Sequence, residues 1–140
     1  MDSQELVSKY KRLFLLFPES VRTRDIIAGF NKFSKKKLIH TEVLHTLDVN
    51  RIEEKDAFIV IDDYHLVDIV KFAREKKWQL GKDIGLMSYN ETNLKSIIAN
   101  GITTITTDFT AMGKSMAAMI LGGKGEVIEN PFVIIDRQSV

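Results

Sequence analysis

Apolar and polar positions along the chain alternate between two rhythms, and the change of rhythm marks out the elements. Leu13-Phe14-Leu15-Leu16-Phe17 is an unbroken apolar run closed by Pro18. Short apolar runs of this kind, bounded by a breaker, predict strands buried on both faces. Ala57 to Ile61 and Ile84 to Ser88 read the same way, and Leu38 to Leu44 alternates as a strand should. Thr103 to Thr106 is β-branched, and Phe132 to Ile135 closes the series. Between the runs the period lengthens. Over Ser20 to Lys36, the residues Ile26, Ile27, Phe30 and Phe33 fall on one helical stripe. Over Asp63 to Lys77, Leu66, Val67, Val70 and Ala73 do so, with Gly81 shortly beyond as a stop. Thr92 to Ala99 predicts a short helix capped by Thr92, and Asp108 to Leu121 a long one ended by Gly122-Gly123. Asp48 to Glu54 reads as a short helical turn, and Ser3 to Tyr10 as a lead-in helix. Strands alternating with helices imply βαβ units and an α/β fold: an open, mostly parallel sheet in three layers.

Composition narrows the function classes more than it names one. With 140 residues, the chain is expected to be a single domain with its own core. Its formal net charge of +1 gives no global electrostatic case for nucleic-acid binding. It has no cysteine, so disulfides and thiolate metal sites are excluded. The start Met1-Asp2-Ser3-Gln4-Glu5 lacks the pattern of a signal peptide, and no apolar run reaches bilayer-spanning length. The expected location is the cytoplasm, with no membrane partner.

An open α/β sheet takes its ligands at the carboxyl ends of its strands. That rule draws attention to Asp62-Asp63 and Tyr89-Asn90-Glu91, where apolar runs end in polar residues. Asp62 can face a cleft and accept from ligand hydroxyls. An Asp there can equally cap the following helix, a role that suits Asp63 best. Asn90 offers hydrogen bonds without charge, and it also suits a turn. Phe17, Tyr64 and Tyr89 can stack on a ring or pack in the core. Arg22 and Arg24, at the start of the first long helix, can contact a ligand or stand in solvent; Trp78 reads as an edge-packing residue. Metal chemistry is poorly served: His40, His45 and His65 have no ligand spacing, and no phosphate-binding glycine loop occurs. Lys35-Lys36-Lys37 suits a solvated helix end. No cofactor and no catalytic group are expected. In the last long helix, Phe109, Met112, Met116 and Met119 form an apolar stripe among small residues. It either packs on the sheet or meets another chain, for which Met is well adapted.

The stretch Lys82 to Glu91, then Gly101 to Phe109 with Met112-Gly113, closely resembles the C-terminal half of the effector-binding domain of LacI/GalR-type transcription regulators. Arg12 to Phe17, Ala28 to Phe33, Ala57 to Asp63 and Arg137-Gln138-Ser139 resemble, in order, that family's opening strand, first helix, acidic strand end and closing strand. The resemblance covers nearly the whole chain from Lys11. It is also similar in flavour to regulators that join a GntR-type winged helix to such a sensor. It implies a periplasmic-binding-protein-like C-terminal subdomain that binds a small, sugar-like effector and works as a homodimer, with DNA contacted only through a headpiece not found here. It further implies that Thr103 to Leu121 belongs partly to a missing subdomain. Asp62, Asn90, Phe17, Tyr89 and Arg24 are the ligand-binding residues it points to. Asn90 stands where an aspartate is usual, and Ile26 where an arginine is usual, with Arg24 two residues earlier. Two other readings remain: a structural oligomerisation domain with a vestigial pocket, and a magnesium-dependent phospho-receiver built on Asp62-Asp63.

Overall fold

A computed structural model describes residues 6–21, 24–36 and 39–140. Six strands form one sheet: β1 Arg12–Leu16, β2 His40–Leu44, β3 Asp56–Val60, β4 Gly85–Tyr89, β5 Thr103–Thr107 and β6 Phe132–Ile135. Their order is β2-β1-β3-β4-β5-β6. The first five are parallel; β6 runs antiparallel to β5, with Thr107 opposite Phe132. Three longer helices accompany them: α1 Asp25–Ser34, α2 Asp63–Lys76 and α3 Phe109–Gly122. The sheet is thus α/β and mostly parallel, as the alternation of rhythms predicts.

Strand side chains alternate between faces, and this sorts the core into two clusters. Phe14, Leu16, Phe58, Val60 and Leu86 pack with Leu66, Ile69 and Phe72 of α2. Leu13, Leu15, Phe17, Ala57 and Met87 pack with Phe30 of α1 and with Leu6, Val7 and Tyr10 before β1. Of the lead-in helix, Leu6 and Val7 are helical and buried, and its start lies outside the described residues. At the amino-terminal edge Arg12 forks onto Asp56, with Nε and Nη2 each 2.7 Å from a carboxylate oxygen. Asp56 is 1% exposed, so this bidentate pair is what allows a charge to sit there.

Several boundaries differ from expectation for local reasons. The stop of α2 is Lys77, left-handed at φ 58°, and not Gly81. Gly81 serves a tighter purpose: φ is +81°, and a Cβ there would lie 1.9 Å from the Gln138 carbonyl oxygen. Thr92 to Ala99 is not one helix but two 3-10 turns, Asn93–Ser96 and Ile98–Asn100. Thr92 makes no capping bond, and Ala99 at φ 49° cannot continue a right-handed helix. Arg137 to Ser139 is not part of the closing strand. It is a turn beyond it, held where Ser139 Oγ donates to the Leu86 carbonyl at 2.5 Å and accepts from the Thr103 amide at 2.7 Å.

The larger difference concerns α3. Packing against the sheet would bury its stripe, yet none of its residues is buried. Phe109 is 58% exposed and Met116 54%. The helix is well formed locally, since the Asp108 carboxylate caps it by accepting from the Ala111 amide at 2.9 Å, and Gly123 closes it at φ 65°.

Candidate functional site

The parallel strands bring their polar ends to one edge. Leu16 pairs with Val60, and Val60 with Ser88. Phe17, Asp62 and Asn90 follow these residues by one or two positions, so all three lie at the carboxyl edge of the sheet.

Asp62 is the N-cap of α2, the role expected of Asp63. Its Oδ1 accepts from the His65 amide at 2.8 Å. Oδ2 lies 2.9 Å from Nδ1 of the His65 ring, without the alignment of a hydrogen bond. The cap falls on Asp62 because it is the residue still extended, at φ −113° and ψ 162°, while Asp63 is already helical. A carboxylate has about four acceptor sites, so capping leaves acceptor capacity open toward the edge. Asp63 instead pairs with Lys95, at 3.2 Å.

Asn90 stands in the left-handed region at φ 65°, a conformation that asparagine tolerates. Its amide donates to the Ile105 carbonyl at 2.8 Å, and its side chain is exposed. Tyr89 is half-buried, its ring centroid 6.3 Å from that of Phe132. Both rings line an apolar groove of about 700 Å³ between α1 and the sheet, with Ile59, Met87 and Ile105 as its floor. Phe17 reaches the right edge but not its surface: the ring is 3% exposed, packed in the α1-side cluster. Arg24 is exposed, immediately before α1, and makes no capping bond. Arg22 lies outside the described residues. Tyr64 is 86% exposed on α2.

Two further charged features lie near this edge; sequence reasoning noted Glu91 and Arg137 only as parts of motifs, and Lys95 not at all. Glu91 and Arg137 form a two-pronged ion pair, with both N···O distances 2.9 Å. Arg137 Nη1 also donates to the Ile102 carbonyl at 2.9 Å, and the Thr104 hydroxyl bonds to Glu91. The Arg137 guanidinium, helped by Thr104, holds the Glu91 carboxyl below the usual carboxylate range. Lys95 is the second, almost wholly buried, with its ammonium on the carbonyls of Tyr89 and Asn90. In sequence, a lysine between Leu94 and Ser96 reads as a surface residue. Asp83 sits before β4 at the opposite edge, where its carboxylate accepts from the Gln79 amide, and so does not join Asp62 and Asp63. Among the described residues no three His, Asp or Glu side chains gather as a metal site requires.

These features define an open, mostly parallel α/β sheet whose carboxyl rim is polar. A profile of the periplasmic binding protein-like domain matches residues 9–140, and the chain belongs to that family. Similar solved structures are LacI-type regulators. The Lac repressor bound to ONPG in its repressed state shares 20% identity, covers 98% of this chain and 48% of its own, and superposes with a TM-score of 0.69. A LacI family transcriptional regulator from Bifidobacterium animalis subsp. lactis shares 19% identity over 96% of this chain and 56% of its own, with a TM-score of 0.73. A periplasmic binding protein/LacI transcriptional regulator from Alkaliphilus metalliredigens, complexed with D-xylulofuranose, shares 15% identity over 97% and 59%, with a TM-score of 0.63. The chain therefore spans about half the length of these proteins. The fold is the one expected from the LacI/GalR resemblance, while the comparisons lend no support to a GntR-type arrangement. No curated protein matches the chain in sequence. Among the described residues no helix is long and apolar enough to cross a membrane.

Proposed function

We propose that this chain is the effector-sensing and dimerising part of a cytoplasmic transcription regulator, and not an enzyme. Its ligand is a small polar molecule of sugar type. The observation that carries this reading is the convergence of Asp62 and Asn90, one charged acceptor and one neutral amide, at the carboxyl edge of parallel strands. Tyr89 and Arg24 stand at its rim, and Phe17 supports it from beneath. Support also comes from two proteins of like fold, one bound to ONPG and one to D-xylulofuranose.

Residues 1–140 act as one domain that supplies one wall of a cleft. A second subdomain supplies the other wall, and DNA is contacted through a separate domain. Closure of the two walls on a ligand would change the geometry of a homodimer formed through Phe109, Met112, Met116 and Met119. Nuclear magnetic resonance of the labelled chain tests the site even at weak affinity. D-xylulose and ONPG, titrated to tens of millimolar, are expected to shift the amides of Asp62, Tyr89 and Asn90 before others. Shifts scattered over the surface, or confined to the amino-terminal edge, would refute the site.

A further inference from the structure

The 3-10 turn Asn93–Ser96 is built inside out. Leu94 is 66% exposed and Ile97, just beyond, 73%, while Lys95 between them is 3% exposed. Burying an ammonium is costly unless it is hydrogen-bonded and its charge is paired. Lys95 Nζ donates to the Asn90 carbonyl at 2.9 Å and the Tyr89 carbonyl at 3.1 Å, and it forms an ion pair with Asp63, 3.2 Å from Oδ1. The protein itself thus supplies two acceptors and a counter-charge for the buried group.

The acceptors come from two elements. Tyr89 and Asn90 are the last residue of β4 and the one after it; Asp63 is the first residue of α2. They are also the immediate surroundings of the two candidate ligand residues, because Asp63 follows Asp62. We propose that Lys95 is the positioning residue of the carboxyl-edge site, fastening the turn that carries Asn90 to the helix start that carries Asp62. This rests on the site assigned above, but the fastening itself can be measured without any ligand. The charge, and not the volume, makes the connection: a methionine would fill much the same space and reach none of the three oxygens. Asn90 depends on such a tie because it holds a left-handed backbone on an exposed loop, with its amide on the Ile105 carbonyl as the other anchor.

That amide is the reporter. In the labelled 140-residue chain, Lys95→Met is expected to speed hydrogen exchange at Asn90 by about tenfold or more, as loss of bonds to a charged donor should. Exchange at Phe58 and Ile69 in the core, which opens with global unfolding, should rise by no more than the same factor, since the lost bonds are absent from the unfolded chain too. Lys95→Arg keeps the charge with a different fork and should restore part of the protection. Asp63→Ala removes one acceptor at an exposed residue, so it covers the case in which Lys95→Met does not fold. It should raise Asn90 exchange in the same direction by a smaller factor. Unchanged protection at Asn90 in the variants that fold, or a rise there smaller than the rise in the core, would overturn the proposal. Failure of the site itself would show separately, as Asn90→Ala leaving the D-xylulose-induced shifts intact.

Discussion

Asp62→Ala separates two uses of one carboxylate. In the structure Asp62 caps α2 through the His65 amide at 2.8 Å, and its charge lies at the positive end of a 14-residue helix. Removing an N-cap side chain costs about 0.5–2 kcal/mol. Losing a negative charge from the first turn costs about 0.3–1 kcal/mol more. Asp63 remains in that turn and shares the second effect, so a total of about 1–2 kcal/mol is expected. For a chain of this size that lowers the melting temperature by roughly 3–8 °C. Asp62→Asn keeps a good cap and loses only the charge, so it should cost less than about 0.5 kcal/mol. Ligand binding orders the variants differently. A carboxylate that accepts from a ligand hydroxyl contributes about 1.5–3 kcal/mol, so both variants should bind roughly tenfold weaker or worse. Thermal melts and titration with D-xylulose on the same samples give the two orderings. If Asp62→Ala melts with the parent, the cap is not stabilising. If Asp62→Asn melts well below the parent and binds the probe equally well, the carboxylate is purely structural and leaves the site.

Arg12→Leu strands the buried Asp56 carboxylate and should destabilise the chain by about 3 kcal/mol, read by urea denaturation; Arg12→Lys should cost less, keeping charge but losing the fork. Glu91, its carboxyl held low by Arg137, contributes stability that is present above the ordinary carboxylate range and lost as pH falls through its depressed folded value. The melting-temperature gap between the parent and Glu91→Gln should therefore be widest near neutrality and should close as the solution becomes acidic. Size-exclusion chromatography with light scattering should show a dimer. Met116→Lys should shift it toward monomer, and Lys114→Ala should not; a parent that is monomeric at micromolar concentration refutes the α3 interface.

What the sequence shows of this fold, and what it hides, follow from how far apart the deciding residues are. The buried strands are local: Leu13 to Phe17, Ala57 to Ile61 and Ile84 to Ser88 carry their own signal, and β1, β3 and β4 fall on them within one residue. A one-residue offset is nevertheless enough to exchange the roles of Asp62 and Asp63, because the cap is whichever residue stays extended as β3 ends. The pairing of Glu91 with Arg137 spans 46 positions and leaves no periodic trace. The antiparallel course of β6 depends on a turn long enough to bring Pro131 back beside Asp108, where its carbonyl accepts from the Asp108 amide at 2.9 Å. Lys95 is hidden for a different reason. Propensity places lysine at the surface, and only the convergence of two carbonyls and a carboxylate makes its burial favourable.

The exposure of α3 has a physical lesson. A stripe of Phe109, Met112, Met116 and Met119 states that a helix face prefers to leave water, not which surface receives it. Among the described residues nothing does, and the groove floored by Ile59, Met87 and Ile105 is open as well. Uncovered apolar surface therefore lies both on α3 and beside the rim that holds Tyr89. Under the proposed function, a rim that is polar at Asp62 and Asn90, and bordered by surface that favours burial, would be half of a ligand site. On this argument, ligand affinity and association should be coupled: whatever covers α3 or the groove should also complete the site. Met116→Lys should then weaken D-xylulose binding although it touches no candidate ligand residue. Equal probe affinity in a parent shown to be dimeric and in a Met116→Lys variant shown to be monomeric would separate the two surfaces and leave the carboxyl edge to bind alone.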